Sequence, residues 1–148
     1  MPANSSANVL RRKPHGKKHF TVPEANRALT YVSRVVDDVQ RLYQDALSVQ
    51  HRVEYPQPGD DARELQGEYA RLVDRLNECV AELDLVGVEV KDYETGLVDF
   101  PASHEGRDIY LCWKPGEAQI AAWHDAESGY ADRQDVTLLE SEDDEESA

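Results

Sequence analysis

The chain has 148 residues, 40% of them hydrophobic, which is enough for one ordinary domain with a modest core and too little for two. Its formal net charge of −14 is unevenly spread: residues 1–18 carry five basic and no acidic side chains, and residues 140–148 carry six acidic and no basic ones. The 11 basic and 24 acidic residues between these ends make a body that repels phosphate backbones, which argues against nucleic acid as its partner.

Residues 1–18 are polar and interrupted by Pro2, Pro14 and Gly16, the composition of a disordered arm. The arm has no apolar stretch of the kind that directs secretion, and no run anywhere approaches the ~18 apolar residues of a membrane span. Cys79 and Cys112 show no CxxC spacing, so a reducing cytoplasm is the expected location. Order should begin at Phe20. Thr21 and Glu24 form a capping box, and Pro23 lies in the first helical turn, where a missing N–H costs nothing.

From there Ala25, Ala28, Val32, Val35, Val39, Leu42, Ala46, Val49 and Val53 recur at spacings of three and four, a heptad seam of the coiled-coil kind. The segment from Tyr55 to Asp61, YPQPGDD, stops that helix with two prolines and a glycine. Leu65, Tyr69, Leu72, Leu76, Cys79 and Leu83 then define a second helix. Two such helices joined by a short turn make an antiparallel hairpin over about residues 21–84. Leu29, Val36 and Tyr43 form a second apolar row that the hairpin alone leaves uncovered. For Val36 and Tyr43 the expected cover is a second subunit, hence a homodimer through the helices.

The period then changes to two. Val86, Val88 and Val90 alternate with polar residues, DYETG turns the chain, Leu97 to Phe100 follow, and Pro101 is expected to end that run. A third strand should span Ile109 to Trp113, Lys114 to Glu117 suits a type II turn, and Ile120 to His124 is a strand or a helical turn. SGYADR reads as a loop and residues 140–148 as a disordered acidic tail. The expectation is a single α+β domain over residues 19–139, its helical hairpin followed by a small antiparallel sheet of three or four strands over about residues 86–125.

Strand parity sorts the reactive side chains. Ile109, Leu111 and Trp113 share one face, leaving Tyr110 and Cys112 on the other, while His124, if Ile120 to His124 is a strand, shares a face with Ile120 and Ala122, opposite Trp123. The candidate constellation is Lys91, Asp99, Cys112 and His124, with Asp92, Glu117 and Arg133 at its rim as ligand-binding candidates. Imidazole, thiolate and carboxylate suit a zinc or iron ion, with His124, Cys112 and Asp99 or Asp125 as ligands. No HxxxH, HExxH or paired cysteines reinforce that reading. Acid–base or nucleophilic chemistry would use Cys112 or Lys91 activated by His124, without any glycine elbow to support it. The plainer alternative makes Asp92 a turn initiator, Lys91 a cross-strand partner of Asp99, and both tryptophans core. Arg133 suits a carboxylate clamp or a loop-holding salt bridge equally. The basic arm could meet an anionic surface, and the acidic tail a basic partner.

Five phrases, FTVPEANRAL, GVEVKDYETGLVDFP, IYLCWKPGE, WHDAESGYADR and the long helices between the first two, resemble one bacterial family, the domain of unknown function 2203, over roughly Phe20 to Asp135. The resemblance implies a cytosolic bacterial protein and brings no activity with it. The leading functional expectation is a noncatalytic binding or scaffold module that self-associates through its helices and presents a polar site to a protein or small ligand. The competing one is a small metal-dependent or acid–base, hydrolase-like enzyme using Asp99, Cys112 and His124.

Overall fold

The computed structural model describes residues 19–127, 133–137 and 139. The arm, the tail and most of the SGYADR segment lie outside these residues. Helix α1 spans Val22–Glu54 and helix α2 spans Ala62–Val86. Five strands follow: β1 (Glu89–Asp92), β2 (Leu97–His104), β3 (Arg107–Trp113), β4 (Ala122–Asp125) and β5 (Gln134–Asp135). They form one sheet in sequence order, each antiparallel to the next.

The helix ends follow local chemistry. Thr21 and Glu24 exchange the two hydrogen bonds of the capping box, at 3.2 and 3.0 Å. Asp61 caps α2 by accepting from the N–H groups of Arg63 and Glu64. Val86, expected in the first strand, is instead the last residue of α2, because Gly87 closes that helix with its N–H on the Asp84 and Leu83 carbonyls.

Pro101 does not end β2, which continues to His104. The reason lies in the register. Glu89, at the start of β1, pairs with Asp99, so beyond that point β2 has no neighbour on the β1 side and a missing proline N–H breaks no ladder bond. The Pro101 carbonyl accepts instead from Phe20 N–H at 2.7 Å, which ties the start of α1 to the sheet. A two-residue turn, Glu105 and Gly106, both with positive φ, joins β2 to β3 with the twist that hairpins favour. The sheet has five strands rather than three or four because Gln134 and Asp135 pair with β4. These two polar residues carry no period-two hydrophobic signal that a sequence reading can detect.

One sheet face lies on the helices. Val98, Phe100 and Ala102 of β2, Ile109, Leu111 and Trp113 of β3, and Trp123 of β4 join Ala25, Leu29, Val32, Val35, Val36 and Val39 of α1 and Leu76 and Leu83 of α2 in one core. Both tryptophans are therefore core residues. The second apolar row of α1 is also covered within the chain. Val36, only 1% exposed, faces the β1–β2 turn and Pro115, and Tyr43 meets Tyr93 of that turn edge to face at 5.7 Å. The Gln40 side-chain amide donates to the Glu94 carbonyl at 3.0 Å, pinning the same turn to the helix. A second subunit is therefore not needed to bury this row. The Asn26 amide oxygen accepts from Ile120 N–H at 2.7 Å and anchors the β3–β4 connection, so the segment at Ile120 stays on α1 and β4 begins at Ala122.

Candidate functional site

The opposite sheet face carries two buried polar side chains and a buried thiol from three adjacent strands. Asp99 of β2 stands directly across from Cys112 of β3, and His124 of β4 lies one pair further along, across from Tyr110. Asp99 and Cys112 are each 2% exposed and His124 is 5% exposed. Such a set is uncommon in a small sheet, since polar groups lose hydration on burial unless they pair.

The pairing is specific. His124 Nδ1 lies 2.8 Å from the Asp125 carbonyl, which only accepts, so Nδ1 carries the proton and donates it there. Nε2 is thereby turned to Asp99 Oδ2, 3.2 Å away. One proton must lie between these two atoms, on the carboxyl or on the imidazole. Asp99 Oδ1 lacks a well-formed hydrogen bond among the described residues. Burial raises the Asp99 carboxyl above its ordinary value, opposed by the nearby charges of His124 and Lys91 and by hydrogen bonds from His124 and the Cys112 thiol. Burial, reinforced by the Asp99 carboxylate beside it, pushes the Cys112 thiol well up, with Arg133 pulling weakly the other way. One ligand atom from each of Asp99, Cys112 and His124 lies within 4.8 Å of the others.

The remaining candidates fall outside this cluster. Lys91 pairs with Glu89 at 3.3 Å, and its charge also acts on Asp99. Its ammonium lies 5.8 Å from the centroid of the Tyr110 ring, at the edge of the site. Asp92 accepts from the N–H groups of Glu94 and Thr95 and shapes the β1–β2 turn. Glu117 closes the turn after β3, its carboxylate on Lys114 N–H and its carbonyl on Trp113 Nε1. The Asp125 carboxylate pairs with Arg107 at 3.0 Å, so Asp125 serves the site through its carbonyl and not as a ligand. Arg133 is exposed, just before β5. Tyr110, whose ring lies 5.6 Å from that of His124, belongs to the site and was not singled out from the sequence, although strand parity already placed it beside Cys112.

A family model described as an uncharacterized conserved protein (DUF2203) matches residues 18–136, most of the chain, including α1, α2 and β1 to β5. The chain belongs to the DUF2203 family. Comparison with curated proteins and with solved structures finds no match. The DUF2203 match takes in Asp99, Cys112 and His124 and leaves the basic arm and acidic tail outside. No helix among the described residues of this DUF2203 chain is long and apolar enough to cross a membrane.

Proposed function

We propose that the chain is a noncatalytic binding module whose ligand sits at the Asp99, Cys112 and His124 cluster, on the sheet face turned away from the helices. The observation that carries this reading is the buried Asp99 carboxylate, bonded to His124 and to the Cys112 thiol, with Oδ1 short of a well-formed hydrogen bond among the described residues. A sheet that needed only to fold would be better served by an apolar residue there. The imidazole held by the Asp125 carbonyl adds the preorganisation expected of a recognition site.

The competing enzyme reading loses its nucleophilic form. Activating a cysteine requires an imidazole that takes the thiol proton, or a cationic setting that lowers the thiol pKa. Here Nδ1 is committed to a backbone carbonyl and Nε2 to Asp99, and Cys112 is pushed up by burial and by a carboxylate. Native Cys112 should therefore be alkylated by iodoacetamide more than roughly tenfold more slowly than the same residue in urea-unfolded protein, measured by peptide mapping. Labelling faster than in the unfolded chain would mark a catalytic thiol and overturn the noncatalytic reading. Two free cysteines accord with the proposed cytoplasmic location.

A further inference from the structure

The inference here rests on the binding-site reading above and names its ligand class. We propose that Asp99, Cys112 and His124 together bind one divalent transition-metal ion of the zinc class, through a carboxylate oxygen, Sγ and Nε2.

The geometry is the first argument. If all three donor atoms stood at the full 4.8 Å from one another, a point at their centre would lie about 2.8 Å from each; zinc bonds of about 2.0–2.3 Å need a contraction of well under 1 Å, within reach of small side-chain rotations. The second argument is the support around His124. A metal-binding histidine characteristically donates its other ring N–H to a carbonyl or carboxylate, and His124 Nδ1 does so to the Asp125 carbonyl at 2.8 Å, leaving Nε2 aimed at the other two donors. The third is the Asp99 side chain, only 2% exposed, which the Cys112 thiol and His124 both approach while Oδ1 lacks a well-formed hydrogen bond among the described residues.

Charge and softness select the ion. A thiolate excludes magnesium and calcium, which take oxygen donors, and the mixture of sulfur, nitrogen and oxygen suits zinc, cobalt(II) and iron(II). One thiolate and one carboxylate cancel the two charges of the ion, so a buried site becomes neutral on binding. Binding forms the metal–sulfur bond and releases the thiol proton to solvent, together with the proton held between His124 and Asp99; no electron is transferred. Three protein donors leave the fourth position of a tetrahedral ion to water or to a further ligand.

The test uses the full tag-free chain, freed of metal with a chelator and titrated with Zn²⁺ and separately with Co²⁺. The expected result is one ion per chain and, with cobalt, an ultraviolet sulfur-to-metal charge-transfer band with intense visible bands of tetrahedral coordination. Cys79→Ala should keep the band. Cys112→Ala, which replaces a buried thiol with another small apolar group, should lose the band, and His124→Ala should weaken binding by roughly 100-fold or more. Circular dichroism of each metal-free variant separates loss of ligand from loss of fold, and the band in wild type and Cys79→Ala decides the question even if a site variant does not fold. Metal retained equally by wild type and by correctly folded site variants would mean an adventitious ion only and would overturn the proposal, as would absence of the band in wild type. If Asp99→Asn raises the stability of the metal-free protein while no metal binds, the binding-site reading survives and the metal assignment alone falls.

Discussion

A carbonyl oxygen accepts and cannot donate, so the bond between His124 Nδ1 and Asp125 fixes the imidazole's tautomer and leaves Nε2 to face Asp99. Asp99 bears the cost of that arrangement. Its carboxyl is raised above the ordinary value of 3.8, first by burial, so the folded state holds the proton more tightly than the unfolded chain does. For a raised group the stabilising contribution is complete below the unfolded value, and it is lost as pH rises through the folded one. At neutral pH Asp99 therefore works against folding unless something binds it. Most of this cluster was legible from period-two parity, which placed Cys112 and His124 on one face without any structure. The partner of Lys91 was not, since Glu89 rather than Asp99 takes its ammonium, at 3.3 Å. Nor was the role of the Asp125 carbonyl, because a backbone acceptor leaves no trace in residue type.

At the scale of elements, the hairpin was readable because its apolar seam, the Thr21–Glu24 cap and the YPQPGDD break are local signals, and the sheet was readable where alternation is regular. What the sequence could not supply was how elements meet. The cover over Val36 and Tyr43 comes from the β1–β2 turn, some 50 or more residues later in the chain, and from Pro115. Gly96 is the residue that permits the close approach. Its φ is +79°, and a Cβ there would stand 2.9 Å from Val36 Cγ1 and from two atoms of the Pro115 ring. Left-handed strain and overpacking act together, so Gly96→Ala should lower the unfolding free energy by about 2–4 kcal/mol. Urea unfolding checks this; a loss under about 0.5 kcal/mol would show that the turn does not seat against α1 as described.

For the whole molecule, the expected homodimer is a question for solution measurement. In the outer half of the hairpin Ala46, Val49 and Leu65 are buried within the chain itself, while Leu47 is 41% and Tyr55 65% exposed. If Leu47 and Tyr55 pair two chains, light scattering should return twice the chain mass, and Leu47→Lys should return the single-chain mass; one chain mass for the unaltered protein rules the homodimer out. The site does not depend on that outcome, since its three residues come from one sheet of one chain. In the proposed reading its placement on the face away from the helices separates two tasks: one face and the hairpin hold the fold, and the other face holds polar groups kept for binding.

That separation is tested most directly by the unfolding free energy of metal-free wild type and Asp99→Asn, measured with a chelator present from about pH 4 to pH 7. A residue held for binding at the expense of folding should give a variant more stable by about 1 kcal/mol at pH 7, with the difference shrinking as pH falls and Asp99 in the wild type takes up its proton. A variant less stable by about 3 kcal/mol at pH 7 would show that the Asp99–His124 pair is a structural device, and would contradict the binding-site account.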